Sequence, residues 1–172
     1  MIDFLRHSES HIFLDELSDV VQIQGPKLHH LANVLRVKVG DTISAAHEGL
    51  VRGYVVSSVD DKNIELQSSS VVVEVNEKEV HLAVSIFKMD KLEWGITKAI
   101  ETGARSITIG TTSRSSFSID KKKKEKVQGR FNALALSACS QSRRAYLTEI
   151  KIVDSLVEYV QDLDMQVLIC EP

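Results

Sequence analysis

The 172-residue chain has few residues that fix a fold covalently or through backbone geometry: it contains two cysteines, two prolines and 5% aromatic side chains. Cys139 and Cys170 show neither metal-type nor disulfide-type spacing. This excludes the disulfide-stapled secreted domains and predicts reduced thiols.

Long apolar segments are missing as well. The run VHLAVSIF is far shorter than the roughly 20 residues that cross a bilayer. The N-terminus, MIDFLRHSES, lacks the apolar stretch of a secretory signal. These absences predict a soluble, cytoplasmic protein with no membrane partner.

Motifs of several common enzyme classes are also absent. The chain has no G-x-G-x-x-G, no Walker loop and no G-x-S-x-G, which argues against dinucleotide-binding folds, P-loop NTPases and α/β hydrolases. The six histidines are scattered, and the adjacent His29 and His30 would point in different directions on a helix. The sequence therefore predicts no metal site.

Charge is unevenly distributed, although the formal net charge is only −3. Residues 1–75 carry 6 Lys/Arg and 11 Asp/Glu, whereas residues 88–151 carry 14 Lys/Arg and 6 Asp/Glu, a local net charge of +8. A basic segment inside an acidic chain is typical of a local phosphate-binding surface. For the run DKKKKEK (120–126), the alternative is a solvated helix start.

The first part of the sequence has the pattern of a small β-domain. Residues 41–75 divide into short apolar or alternating runs separated by turn signals at 40–41, 48–49 and 60–63. Short strands at this spacing favour a small antiparallel barrel or curled sheet. A helix beginning near Pro26 interrupts it.

From about residue 80 onward, strand and helix patterns alternate. The predicted strands are VHLAVSIF, RSITIGTT, TEIKIV and MQVLIC. One predicted helix begins at Asp90, where Glu93 would complete a capping box, and ends at Gly103; a second covers about 120–144 and a third starts at Asp154. This alternation predicts an α/β domain with a parallel sheet, in which VHLAVSIF is buried on both faces.

Basic side chains fall where a ligand of such a sheet would bind. Lys91 and Lys98 are seven residues apart on one predicted helix. Arg114 follows the second strand, and open parallel sheets bind ligands beyond the carboxyl ends of their strands. The pattern favours a polyanion groove. Ordinary surface charge, with ion pairs such as Lys98 to Glu101, is the alternative, and spacing leaves both open.

The long predicted helix adds two stripes. One stripe is apolar and ends in Gln141, which would then need hydrogen-bond partners. The other carries two arginines and two serines, and arginine suits bidentate phosphate contact: Arg130, Ser137, Ser140 and Arg144. This stripe would extend the polyanion groove.

Four stretches carry a family resemblance: HHLANVLRVKVGD (29–41), KMDKLEWGITKAIETGARSITIGTTSRS (88–115), GRFNALALSACSQSRRAYLTEI (129–150) and MQVLICEP (165–172). They resemble the RsmE-type methyltransferases of the knotted SPOUT superfamily. The corresponding family motifs have the forms H-h-x-x-V-L-R-x-x-x-G-D, K-x-x-K-x-E-x-x-x-x-K-x-x-E-L-G followed by S-E-R-S, and R-W-x-x-I-x-x-x-A-x-E-Q-S-x-R-x-x-x-P-x-I. The likeness covers essentially the whole chain, with departures at Thr102, Ser113, Phe131, Ser140 and Thr148.

The resemblance implies a fold and an activity. The expected fold is α/β, with a PUA-like β-barrel RNA-binding domain (1–74) followed by a parallel-sheet SPOUT-type methyltransferase domain (75–172). The expected activity is methyl transfer from S-adenosylmethionine to N3 of a uridine in 16S ribosomal RNA, within the small ribosomal subunit, by a homodimer. The family's RNA-contacting positions fall on Arg36, Arg114, Gln141 and Arg144, and the basic face adds Lys91, Lys98 and Arg130. Arg114 is expected to stabilise the charge that develops on the uracil oxygens.

The end of the sequence, Glu171-Pro172, falls where the family continues with a G-P-E-G-G loop and a later L-G-x-x-I-L-R-x-E-T-A segment. Those segments form the knot and most of the cofactor pocket. The resemblance therefore implies a domain that is incomplete at its C-terminus, with Cys170 and Glu171 at the pocket edge. Two alternatives stay open: a non-catalytic RNA-binding fragment, and an α/β enzyme acting on a small anionic substrate.

Overall fold

The computed structural model describes residues 3–76, 78–115, 117–164 and 166–169. The chain divides into two compact units. The first comprises residues 1–77 together with 139–147, and the second comprises 78–138 together with 148–172. The segment 139–147 therefore belongs to the first unit, although the predicted domain boundary lies at 74/75.

The first unit contains a six-stranded sheet with the order β1-β3-β4-β5-β2, and β6 pairs with β4. Its strands are β1 (Ser10–Phe13), β2 (Val20–Ile23), β3 (Thr42–His47), β4 (Leu50–Val59), β5 (Ile64–Ser68) and β6 (Val73–Glu74). Its helices are α1 (Asp3–His7) and α2 (Gly25–His29), and a π-helical turn (His30–Val34) continues α2. The expected small β-domain is confirmed, but β1 pairs with β3 in parallel, which the expected antiparallel sheet did not include.

The turn between β3 and β4 has two residues, both in a left-handed backbone conformation. Glu48 and Gly49 have φ values of 43° and 89°, and a two-residue hairpin turn of this kind needs positive φ at both positions. The strands it joins supply four of the ten buried core residues, and each fully buried large apolar side chain contributes roughly 1.5–3 kcal/mol. The core consists of Leu14, Ile23, Leu31, Val37, Ile43, Ala45, Tyr54, Val56, Ile64 and Leu66.

The second unit has a three-stranded parallel sheet with the order β7-β8-β9. Its elements are β7 (His81–Ser85), α3 (Met89–Glu101), β8 (Ser106–Thr111), a 3₁₀ turn (Lys121–Lys123), α4 (Lys124–Gln141), β9 (Glu149–Ser155) and α5 (Leu156–Gln161). The predicted parallel α/β sheet is thus confirmed. The central strand β8 is buried on both faces, as Ile107, Thr108 and Ile109 show.

Some local predictions for this unit are wrong. β7 is not buried on both faces, because it lies at the edge of the described sheet and His81, Leu82 and Ala83 are exposed. The N-cap of α3 is Lys88, without a side-chain capping bond, so the Asp90 capping box does not form. Ser155, rather than Asp154, caps α5 by accepting a hydrogen bond from the Glu158 amide at 3.2 Å.

The predicted fourth strand, MQVLIC, is also not seen in the part that the structure describes, where residues 166–169 have irregular backbone. Met165 and Cys170 lie outside the described residues. None of the helices within the described ranges is both long and apolar enough to cross a bilayer. Over the same ranges, no three His, Cys, Asp or Glu side chains group in a way that could hold a metal ion.

Candidate functional site

A cleft of about 200 Å³ opens at the carboxyl ends of the parallel strands in the second unit. Parallel α/β sheets bind their ligands at this edge, because the helix-connecting loops diverge there. One side of the cleft is apolar, and an ion pair between Lys124 Nζ and Asp154 Oδ1 (3.1 Å) lies in its wall. Its lining includes Ile86, Ile109, Gly110, Ile119 and Ile152.

Arg114 lies in a tight turn just beyond the end of β8. The Thr112 amide donates to Ser115 Oγ at 2.9 Å, and the Ser115 amide donates to the Thr112 carbonyl at 3.0 Å. These bonds close a turn whose third residue is Arg114. Its guanidinium is exposed and pairs with no other residue that the structure describes. An unpaired cation beyond a sheet strand is available for an anionic ligand.

The outer surface of α3 and α4 holds the other cations predicted for this unit, which differ in whether an acidic side chain pairs with them. Arg130 is already engaged, since its Nη2 donates to Glu93 Oε2 at 2.7 Å and its Nε lies 2.5 Å from Oε1. Lys98 pairs with Glu101 at 2.7 Å, as the surface-charge alternative expected. Lys91 is exposed and has no ionic partner among the described side chains. The strength of these three as phosphate ligands therefore differs.

Trp94 lies between Lys91 and Lys98 on the exposed side of α3 and is 65% exposed. It is not among the residues predicted from the sequence to bind RNA. It is the single tryptophan of the chain and lies off the buried stripe of Leu92 and Ile96, a signal that was readable from the sequence. An exposed aromatic ring beside cations provides a surface on which an unpaired base stacks.

In the first unit, Arg36 lies in the loop that follows the π-helical turn. Its backbone is left-handed, with φ of 55°. Its side chain is exposed and has no hydrogen-bonding partner in the described part of the chain. Arg36 thus remains available for phosphate contact.

The helix α4 ends earlier than predicted, at Gln141 instead of residue 144. The Arg144 amide donates to the Cys139 carbonyl at 3.0 Å and the Arg143 amide to the Ser140 carbonyl at 3.3 Å, the bond pair of a Schellman motif. Arg143 occupies its left-handed position with φ of 54°. Arg144 therefore does not continue the stripe of Arg130 and Ser140, and that part of the prediction is wrong.

Gln141 and Arg144 differ in exposure as a result. Gln141 is exposed, so it does not extend the buried stripe of α4, whereas Arg144 is buried at 6% exposure. We call residues 141–144 the α4 end turn. The Arg144 carbonyl accepts a hydrogen bond from His11 Nε2 at 2.9 Å, so this turn is tied to β1.

A buried polar cluster surrounds that contact. His11 is 5% exposed, and its Nδ1 is 2.8 Å from Ser44 Oγ, which in turn is 2.9 Å from Ser8 Oγ. Burial, the largest cause, and the nearby Arg143 cation together lower the pKa of His11 from 6.5 to about 4, and the bond to the Arg144 carbonyl opposes this shift. His11 is therefore neutral at neutral pH. No sequence signal pointed to it, because its partners are 33 and 133 residues away.

Residues 74–172 match the family described as RNA methyltransferase domain, and residues 23–67 match the family described as RNA methyltransferase PUA domain. The ribosomal RNA small subunit methyltransferase E of Bacillus subtilis (strain 168) is 31% identical over 166 residues. That alignment covers 91% of this chain and 63% of the relative, so the chain spans less than two thirds of the length of that relative.

Two solved structures share the fold. A ribosomal RNA small subunit methyltransferase E from Neisseria gonorrhoeae, bound to S-adenosyl methionine, has a TM-score of 0.78 at 22% identity and covers 90% of this chain and 65% of its own. A putative methyltransferase from Legionella pneumophila, in complex with the bound cofactor, has a TM-score of 0.76 at 24% identity over 90% of this chain and 66% of its own. At these identities the likeness concerns the fold.

Proposed function

The chain belongs to the RNA methyltransferase family, whose domain accounts for residues 74–172, and we propose that it takes part in methylating ribosomal RNA with S-adenosylmethionine as the methyl donor. In its finer form, the proposal is that N3 of a uridine in 16S ribosomal RNA accepts the methyl group. The geometric observation that supports it best is Arg114, an exposed cation that lies at the carboxyl end of a central parallel strand and pairs with none of the described residues.

The described residues that line the cleft could form one wall of the cofactor site. The cleft of about 200 Å³ is below the range of roughly 300–1,000 Å³ that encloses a drug-sized ligand. Its apolar side, formed by Ile86, Ile109 and Ile119, suits the face of an adenine ring. The two residues expected at the pocket edge, Cys170 and Glu171, lie outside the described residues. When bound, the cofactor supplies an electrophilic methyl group.

Arg114 would serve the reaction electrostatically. N3 of uridine carries a proton, and the ring becomes nucleophilic only when that proton leaves and negative charge spreads onto the uracil oxygens. A fixed cation next to those oxygens stabilises the charge as it develops. The target base would have to leave its stack to reach this edge of the sheet. The turn held by Thr112 and Ser115 restricts where the Arg114 backbone can lie.

Each unit, taken by itself, carries residues that we propose contact RNA. Arg36, Lys91, Arg114 and Gln141 are exposed and would contact RNA directly. Lys98 and Arg130 contribute less, because their acidic neighbours Glu101 and Glu93 already neutralise them. The burial of Arg144 favours a role inside the α4 end turn over a direct phosphate contact.

Two further parts of the proposal rest on the family. Residues 1–74 would form the RNA-binding domain, supported by the PUA match over residues 23–67, and residues 75–172 would form the methyltransferase domain. The resemblance also supports a homodimer. Sedimentation equilibrium between micromolar and tenfold higher concentration would show a dimer mass, and a monomer throughout would contradict that part.

Calorimetric titration of this chain with S-adenosylhomocysteine tests the cofactor part of the proposal. Micromolar binding would support a working cofactor site in this chain. No binding by a protein that circular dichroism shows to be folded would leave RNA recognition as its function, the first alternative. RNA binding that weakens steeply with salt, without cofactor affinity, would be the result expected for that alternative.

A further inference from the structure

The α4 end turn holds an arginine where the same helix-ending motif elsewhere in the chain has a glycine. α3 ends with the Ala104 amide donating to the Ala99 carbonyl and the Gly103 amide to the Ile100 carbonyl, with Gly103 at φ of 110°. The end of α4 has the equivalent pair of bonds, with Arg143 at φ of 54°. A non-glycine residue is strained in this conformation, and such strain persists only where surrounding contacts enforce it.

The side chain of Arg143 supplies those contacts. Its Nη1 donates to the Leu5 carbonyl and to Ser8 Oγ, and its Nη2 donates to the Ser8 carbonyl at 2.7 Å. All three acceptors lie in or just after α1. Arg143 is therefore an anchor that joins the α4 end turn to the N-terminal segment of the first unit.

The hydrogen bonds of this cluster can run in only one order when His11 is neutral. The Arg144 carbonyl only accepts, so His11 Nε2 must carry the proton and Nδ1 must accept from Ser44 Oγ. Ser44 Oγ is then free to accept from Ser8 Oγ, and Ser8 Oγ accepts from the Arg143 guanidinium, which can only donate. This series of hydrogen bonds, which we call the His11 circuit, begins at the Arg143 guanidinium and ends at the carbonyl of the neighbouring Arg144. It therefore fixes both Arg143 and Arg144 within the α4 end turn.

We propose that His11 is a positioning residue for RNA recognition: its neutral imidazole closes the circuit from Arg143 through Ser8 and Ser44 to the Arg144 carbonyl and so fixes the α4 end turn, from which Gln141 contacts RNA. The inference rests on the proposed function, because it assigns the turn to the RNA surface. The low pKa of His11, about 4, keeps the ring in the required neutral form under physiological conditions. Phe13 packs edge-on against the ring, with centroids 5.5 Å apart, and restricts its orientation.

Two substitutions at His11 separate hydrogen bonding from packing. His11→Phe keeps a planar ring beside Phe13 but removes both nitrogens. His11→Gln provides an amide donor for the Arg144 carbonyl and an oxygen that accepts from Ser44. Binding of 16S ribosomal RNA is measured by filter retention at fixed salt. We expect His11→Phe to weaken binding roughly tenfold, as the loss of one buried hydrogen bond implies, and His11→Gln to restore most of the affinity.

A third variant separates positioning from stability. Arg143→Gly removes the backbone strain of the left-handed position but also removes the anchor. If the circuit only stabilises the fold, the thermal midpoint falls and the folded fraction of Arg143→Gly binds RNA as the unchanged chain does. If the circuit positions the turn, Arg143→Gly binds RNA about as weakly as His11→Phe, whatever its thermal midpoint. If His11→Phe does not fold, the RNA affinity of Arg143→Gly alone shows whether the His11 circuit positions the turn.

The outcomes distinguish this inference from the proposed function. Wild-type affinity in both His11→Phe and Arg143→Gly would overturn the positioning role while RNA binding by the unchanged chain still stands. Failure of the unchanged chain to bind 16S ribosomal RNA above the background of a mixed-sequence duplex would overturn the RNA-binding function, and the positioning role with it. Weak binding in both variants, with rescue by His11→Gln, would support both.

Discussion

Gly103 and Arg143 occupy the same left-handed position of the same helix-ending motif, one after α3 and the other after α4. Gly103 takes up this conformation without steric cost, whereas an arginine is strained there by about 1–2 kcal/mol. The three hydrogen bonds from the Arg143 guanidinium to the Leu5 and Ser8 region offset that strain. The end of α4 is therefore determined by a side chain that bonds outside the helix.

Gly49→Ala should destabilise the first unit more than Gly40→Ala, although both glycines have positive φ, at 89° and 94°. A Cβ on Gly49 would overlap the phenol ring of Tyr146, whereas a Cβ on Gly40 would meet nothing within 4 Å. Gly40→Ala therefore measures the backbone strain alone, about 1–2 kcal/mol. Gly49→Ala should cost a further 1–3 kcal/mol, roughly, because the ring must move.

Urea unfolding followed by far-ultraviolet circular dichroism gives the free energy of unfolding for both glycine variants. Equal destabilisation would show that Tyr146 does not pack on the β3–β4 turn. Tyr146 follows the α4 end turn, and the Gly49 amide donates to the Ala145 carbonyl at 3.0 Å. The comparison therefore also tests whether residues 139–147 belong to the first unit.

The free energy of unfolding should fall between pH 6.5 and pH 4 through His11. Its pKa is about 4 in the folded chain, against an ordinary 6.5, so the unfolded chain takes up the proton first as the pH falls. The stabilising contribution is complete above about pH 6.5, declines through this window, and amounts to on the order of 3 kcal/mol at most. His11→Gln should lose this part of the pH dependence while the carboxylate-dependent part remains.

Unfolding in urea at pH 7.5 and at pH 4.5, for the unchanged chain and for His11→Gln, isolates the contribution of the histidine. Subtracting the two proteins removes the carboxylates common to both, including Glu9, whose pKa is lowered by its bonds to Thr42. An identical fall in both proteins would mean that His11 is solvated enough to titrate normally.

Much of the architecture was predictable because it depends on local patterns. The parallel sheet of β7, β8 and β9 follows from strand–helix alternation. The expected order of a PUA domain followed by an α/β methyltransferase domain is confirmed by the family matches, and solved structures share the fold. Gly103 ends α3 as predicted because glycine alone adopts its conformation freely.

Most of the wrong predictions concern positions whose conformation depends on side chains that are distant in the sequence. The sequence predicts that α4 extends to residue 144, because no glycine marks its end at Gln141. The hydrogen bond that anchors Arg143 to Ser8 joins residues 135 positions apart. The hydrogen bond between His11 and Ser44 cannot be predicted from local sequence either, because a histidine in a short strand has no periodic signature. Predicted capping by Asp90 was wrong because the helix begins at Met89, one residue before it.

Lys91→Ala should weaken RNA binding and reduce its salt dependence, whereas Arg130→Ala should affect stability more than binding. Arg114→Ala should weaken binding with little change in salt dependence, because we propose that Arg114 contacts the uracil and not a phosphate. Each free cation that contacts a phosphate contributes about one unit to the slope of log K against log salt. Arg130 is paired with Glu93 across α3 and α4, so its loss leaves a half-buried carboxylate without a partner.

Fluorescence anisotropy of labelled 16S ribosomal RNA fragments between 50 and 300 mM salt, roughly, would measure those slopes. Ser113→Ala, in the same turn as Arg114, is the matched control and should leave the slope unchanged. An RNA affinity unaffected by Arg114→Ala, as by Ser113→Ala, would show that Arg114 does not contact RNA. An effect of Arg130→Ala as large as that of Lys91→Ala would mean that Arg130 leaves Glu93 when RNA binds.

Trp94 should report RNA binding directly, because it is the single tryptophan and is 65% exposed beside Lys91 and Lys98. In the free chain its emission should be that of a solvated indole, and stacking of an unpaired base on the ring should quench it. Trp94→Phe should bind RNA nearly as well as the unchanged chain, since it keeps an aromatic face. Trp94→Ala should lose about 1–3 kcal/mol of RNA-binding free energy, the contribution of one stacked base.

Titration with an oligouridine, and with S-adenosylhomocysteine as the control ligand, shows whether the base or the cofactor quenches the Trp94 emission. A blue shift that grows with protein concentration without RNA would instead mean that a second copy of the chain covers this face of α3.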